Sequence, residues 1–216
     1  MKRLSLTLGF AALTLMGATA KAQDGRGTRL VLRDSSTLSL DGTSTMHGFT
    51  CRTQNIEALV EVDSSYSIVP LNTLAHPMDR VEVTIPVKSL KCGHGQMDDN
   101  MYGTLRAKDY PNITYVLRGY DLVSAEAAAD SFVAKTHGVL TIAGKANQVD
   151  MTVVGGRSPN GVARATGSLE LKMSDFGIKP PSFFFGTLRV GDKIVIKFDL
   201  SADQAAAVAA GILQQQ

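Results

Sequence analysis

Apolar and polar residues alternate along most of this chain. In "IEALVEVD" Ile56, Ala58, Val60 and Val62 share one face, and in "VEVTIPV" Val81, Val83, Ile85 and Val87 stand opposite Glu82 and Thr84. A period of two marks a half-buried strand, because successive side chains point to opposite faces of a sheet. The same pattern groups Ile113, Tyr115 and Leu117 in "NITYVLRGY", and Val149, Met151 and Val153 in "VDMTVV". It also groups Leu169, Leu171 and Met173 in "SLELKM", and Ile194, Ile196, Phe198 and Leu200 in "DKIVIKFDL". With "TRLVLRD", "STLSLDG", "HGFTCRT" and "GVLTIAG", the last carrying Leu140 and Ile142, the chain predicts eight or more short strands. Turn signals at "DGTS", "AGKAN", "GGRSPNG" and "RVGDK" separate them. The expected fold is all-β, an antiparallel barrel or sandwich.

Two segments have a helical period instead. Met97, Met101 and Leu105 recur at i, i+4 and i+8 with Tyr102 beside them, which predicts one short amphipathic helix between a strand ending near Cys92 and one starting near Asn112. Its apolar side is expected to cover one end of the sheet as a lid, with Asp98, Asp99 and Arg106 in solvent; the two aspartates suit a helix N-terminus. The alanine-rich end, residues 203–216, is expected to be a helical or disordered tail. The stretch "SSYSIVPLNTLAHPMD" has no period and is expected to be a long loop.

Composition narrows the function. The N-terminus has Lys2 and Arg3, an apolar run and "AKA" at Ala20–Ala22, the pattern of a signal peptide over residues 1–22. The protein is therefore expected to be exported, periplasmic or secreted, with one domain over residues 23–202. Its +2 net charge and lack of tryptophan offer no basic field with interleaved aromatics, so nucleic acid is not an expected partner. The two cysteines, Cys51 and Cys92, are expected to form a disulfide in an oxidising compartment.

Five blocks carry a family resemblance: "TSTMHGFTC", "IPVKSLKCGHGQMDDNMYGTLRAKDYPNITY", "HGVLTIAGKANQVDMTV", "GSLELKMSDFGI" and "VGDKIVIKFDLSA". In this order they resemble the polyisoprenoid-binding YceI-like family across Thr28 to Ala202. The resemblance implies an eight-stranded antiparallel, lipocalin-like barrel that holds an isoprenoid or similar amphiphile and performs no catalysis. Many members of that family carry an Arg-Asp-x-His-Leu pattern at the start of the helix. This chain reads "QMDDNMYGTL" there and keeps only an aspartate, so the apolar lumen carries over and a polar grip at that mouth does not.

The ligand is accordingly expected against Val83, Ile85, Ile113, Tyr115, Leu140, Ile142, Leu169 and Leu171 from the strands, Met97, Met101, Tyr102 and Leu105 from the helix, and Phe176. No cofactor is expected, only a non-covalently bound isoprenoid or fatty lipid of quinone or polyprenol type. Aliphatic inward faces suit such a tail, each buried methylene contributing about 0.8 kcal/mol. Phe176, Phe183, Phe184 and Phe185 surround Pro180 and Pro181, where a plain hairpin carries polar turn residues. They are expected at an opening, as a rim, a membrane-touching lip or an end-plug. Transient contact with a membrane is thus a further expectation; the oligomeric state is not legible.

Two other functions compete. Cys92, His94, Met97 and Met101 are soft ligands that would suit Cu(I) in an exported carrier. A structural envelope domain would have a filled lumen and no ligand. Catalytic motifs give no support: there is no G-x-S-x-G, no H-E-x-x-H and no phosphate-loop spacing.

Overall fold

The structure is a computed structural model, and it describes residues 27–123 and 130–205. The expected signal peptide and residues 206–216 of the expected tail lie outside these.

The alternating segments become β1 (Gly27–Leu32), β2 (Thr37–Ser44), β3 (Gly48–Thr53), β4 (Glu57–Asp63), β5 (Met78–Pro86), β6 (Asn112–Leu122), β7 (Ser131–Ile142), β8 (Lys145–Arg157), β9 (Ala163–Lys172) and β11 (Leu188–Gln204). A two-residue strand, β10 (Ser182–Phe183), pairs with the start of β11. Both β1–β2 and β3–β4 behave as one bent strand: β2 pairs with β3, and β1 with β4. Every neighbour in the sheet is then a neighbour in sequence, and pairing of β1 and β2 with β11 closes an eight-stranded antiparallel barrel.

Local chemistry explains the bends and turns. Between β1 and β2 the buried Ser36 hydroxyl donates to the Ser201 carbonyl at 3.0 Å and accepts from the Ser201 N–H at 3.1 Å, standing in for ladder bonds that the bend removes. The "AGKAN" signal becomes a two-residue turn from β7 to β8, with Ala143 at φ 50° and Gly144 at φ 82°. Positive φ at both central positions matches the right-handed twist of the flanking strands.

Each end of the barrel carries a buried layer of side chains. At the lower end, where β1 begins and β11 finishes, residues 64–77 fold inward. The aperiodic stretch is a loop, as expected, but it also supplies core: Tyr66 is buried and Leu71 is 0% exposed, packed with Leu30, Val62, Phe132 and Ala202. Arg157 on β8 holds this loop, donating to the carbonyls of Tyr66 and Val69 and pairing with Asp130 at 2.6 Å. At the upper end Ile142, Met173, Phe176, Ile178, Leu105 and Val87 form a second buried layer. The strand β11 continues through Asp203 and Gln204, two residues into the expected tail, where Asp203 pairs with Arg33 at 2.6 Å.

The helix α1 (Gly95–Thr104) forms where its period predicts, but it sits differently. Its one buried residue is Asp98, expected in solvent. The carboxylate accepts from the Cys92 N–H at 2.7 Å and lies 3.6 Å from the Lys91 ammonium. Tyr102 fixes the other side of the helix, its hydroxyl within 2.8 Å of the Leu90 carbonyl and 3.0 Å of the Lys88 carbonyl. These polar contacts fasten α1 to residues 88–92, while Met101 and Tyr102 pack against the upper buried layer.

Candidate functional site: an apolar lumen

Between the two buried layers lies a cavity of about 200 Å³, measured as the space open to the centre of a water molecule. It runs from Leu30, Tyr66 and Ala202 below to Ile85, Leu90 and Leu169 above. Along β7 its wall extends from Phe132 to Leu140, which for a tilted strand is roughly 20 Å along the barrel.

The period-two faces make this wall. Ile56, Ala58, Val60 and Val62 all line it, as do Val81, Val83 and Ile85. Two glycines make room for inward rings: a Cβ on Gly138 would lie 2.4 Å from the Tyr115 ring, and one on Gly155 would lie 2.2 Å from Phe132. The polar groups in the wall are few. Thr136 donates its hydroxyl to the Met151 carbonyl at 3.1 Å. The buried Tyr115 hydroxyl has no hydrogen-bond partner; Thr136 approaches it, outside hydrogen-bonding geometry, and burial pushes its pKa up. A lumen of this chemistry excludes polar metabolites and accepts hydrocarbon.

The expected ligand contacts separate by height in the barrel. Val83, Ile85, Ile113, Tyr115, Leu140 and Leu169 line the cavity. Ile142, Leu105 and Phe176 belong to the buried upper layer, with Leu171, Met101 and Tyr102 packed against it. Met97 is half-buried on α1, and none of the helix residues reaches the cavity. Tyr66, Phe132, Met151 and Leu90 line it without having been expected as ligand contacts. Phe132 and Met151 carry the alternation signal of their strands, whereas Tyr66 comes from the loop.

Cys51 and Cys92 form a disulfide, tying β3 to the segment after β5. Beside it Arg52 and Lys91 exchange backbone bonds of 2.8 and 2.9 Å. The proposed Cu(I) set is corrected here, because Cys92 has no thiolate to give. Its sulfur lies 3.7 Å from the Met101 sulfur, while His94 is an exposed residue at the N-terminal boundary of α1. The phenylalanines divide: Phe176 plugs the upper end, Phe183 is half-buried in β10, and Phe185 is fully exposed at φ 55°. The side chain of Phe184 lies outside the described residues.

A closed eight-stranded antiparallel barrel around one apolar cavity defines a lipocalin-like container. The YceI-like domain model matches residues 31–202, and the chain belongs to that family. Among solved structures it is similar to BcnA of Burkholderia cenocepacia, with 23% identity and a TM-score of 0.62 over 79% of this chain and 99% of that one. It is also similar to a polyisoprenoid binding domain from Saccharophagus degradans implicated in plant cell wall breakdown (13% identity, TM-score 0.59, 82% and 97% covered). A YceI protein of Campylobacter jejuni aligns over 94% of this chain and 99% of its own, at 16% identity and a TM-score of 0.52. No curated protein matches the chain.

Proposed function

We propose that this protein is an exported, non-enzymatic carrier that holds the tail of a polyisoprenoid or similar amphiphile, of quinone or polyprenol type, in its lumen. The observation that carries this reading is the cavity: long, lying between two buried side-chain layers and walled mostly by aliphatic and aromatic side chains. Family membership and the polyisoprenoid-binding neighbour support the ligand class. The signal-like N-terminus and the Cys51–Cys92 disulfide support export, since structural disulfides persist in oxidising compartments. Contact with a bilayer is supported by Phe185 and Met46, two exposed apolar residues on adjoining upper turns that are joined by the Thr45 N–H to Arg189 carbonyl bond of 2.9 Å.

The test is mass spectrometry of an organic extract of the purified protein. A lipid is expected at roughly one per chain, and it should be lost from Val83→Phe, which fills lumen space without adding charge. A folded protein that yields no lipid and takes none up from vesicles would reject the reading in favour of a structural envelope domain.

A further inference from the structure

Side chains pack in buried layers at both ends of the barrel, which makes the partings between neighbouring strands the candidate entrances. Along the described ladders neighbouring strands part between β5 and β6, between β3 and the end of β5, at the bend where the β1–β4 ladder gives way to β2–β3, and between β8 and β9. Between β5 and β6 the ladder stops at Glu82–Val116, but Tyr120 bridges the gap below: its hydroxyl accepts from the Met78 N–H at 3.0 Å and donates to the Met78 carbonyl at 3.1 Å. Above β4, the gap between β3 and the end of β5 is closed by the Arg52–Lys91 bridge, the disulfide and the buried Leu90. Only the parting between β8 and β9 coincides, among the described residues, with a cleft on the outside of the barrel that shares a lining residue with the lumen.

The strands β8 and β9 pair from Arg157–Ala163 up to Thr152–Ser168 and no further. Both continue upward, β8 held by β7 and β9 held by β11 over their whole lengths. The cross-strand pairs that the register would bring next, Met151 with Leu169 and Asp150 with Glu170, do not form. In the resulting split lies an outer cleft of about 660 Å³, on the same measure as the lumen. Leu169 is the one residue that lines both spaces. Asn147 spans the upper edge, donating to the Asp175 carbonyl at 2.9 Å.

We propose that this split is the portal of the lumen, that the Leu169 side chain is its gate, and that the outer cleft holds the uncharged, hydrogen-bonding headgroup of the amphiphile. The inference rests on the carrier reading above and names where and how the ligand sits. A leucine side chain swings between rotamers without breaking a hydrogen bond, so the gate opens at small cost. The cleft chemistry selects the headgroup. Its carboxylates, Asp150, Glu170 and Asp175, face the single ammonium group of Lys145. Lys193 engages Glu170 at 2.7 Å and His137 engages Asp150 at 2.9 Å, which leaves no cluster of free cations for a phosphate. Alcohol, quinone or amide groups find donors and acceptors there, whereas a diphosphate meets like charge.

All-trans-retinol, a fluorescent isoprenoid alcohol, serves as the probe, with its transfer from protein to vesicles followed by stopped flow. Both native cysteines are in the disulfide, so a Gln148→Cys thiol is unique and takes a bulky maleimide beside the split. That adduct should slow release by roughly tenfold or more and Leu169→Ala should speed it by a similar factor, while the same adduct on Asp34→Cys, on the exposed bend between β1 and β2, leaves the rate unchanged. Geranylgeraniol should displace retinol at roughly tenfold lower concentration than geranylgeranyl diphosphate. Retinol bound with release rates equal in all variants would overturn the portal alone. Equal displacement by alcohol and diphosphate would overturn the headgroup assignment. Failure of the unmodified protein to bind retinol, geranylgeraniol or the diphosphate would overturn the carrier reading and this inference together.

Discussion

Tyr115 is a large aromatic residue whose ring is accommodated because Gly138 opposite has no side chain, yet its hydroxyl is buried without a partner. A buried, unsatisfied hydroxyl costs about 1–3 kcal/mol. Tyr115→Phe keeps the ring and removes the cost, so the ligand-free protein should gain about 1 kcal/mol, read as a higher denaturant midpoint at unchanged slope. A loss of stability would show that the hydroxyl does have a partner. At this scale the sequence was informative about direction and silent about height. Alternation places Leu169 and Leu171 on the same inward face, and nothing in the pattern says that Leu169 meets the cavity while Leu171 packs against the layer above it. Asp98 was misread for a different reason. An aspartate early in a helix ordinarily serves the helix dipole in solvent, and its burial follows from a tertiary contact, the Cys92 N–H, that no local pattern encodes.

Elements were more legible than their docking. Ten stretches of alternation correspond to ten of the strands, because a half-buried strand cannot hide its period. The bend at Ser36 and the inward folding of residues 64–77 were not visible, since both depend on partners far along the chain, Ser201 and Arg157. The helix shows the same limit: Met97, Met101 and Leu105 have a lid's spacing, but Tyr102 and Asp98 fasten α1 to residues 88–92. On the outer face, one histidine links three strands. His137 of β7 lies 2.9 Å from Asp150 of β8 and 3.2 Å from Asp121 of β6, and these hydrogen bonds, Asp150 first, raise its pKa above the ordinary value. Because the folded-state pKa is the higher one, the stabilisation is complete below about pH 6.5 and is lost as pH rises through the raised value. Titration by NMR should place His137 above the ordinary histidine value, and Asp150→Asn should bring it down. An unchanged His137 titration in that variant would refute the assignment.

At the level of the whole molecule, hydrogen bonds between the first and last strands join the two ends of the sheet, and the disulfide braces the region where β3 leaves its neighbour. Cys51 and Cys92 are 41 residues apart, and a covalent loop of that length contributes about 4 kcal/mol on the chain-entropy estimate. Replacing both by serine should lower unfolding free energy by up to about that amount and leave the far-ultraviolet circular dichroism spectrum of the folded protein unchanged. An equal midpoint for the serine variant would mean that the Arg52–Lys91 bridge alone holds the segment. The closing ladder has one more implication. Leu32 lies opposite Ala202 and Leu30 opposite Gln204, so the domain's beginning and end meet side by side at the lower end. Topologically the barrel is a ring of eight staves, joined in sequence order by seven connections and cut between β11 and β1. A short linker across that cut, with new chain ends in the exposed turn after β8, would yield a circular permutant with the same staves in the same order.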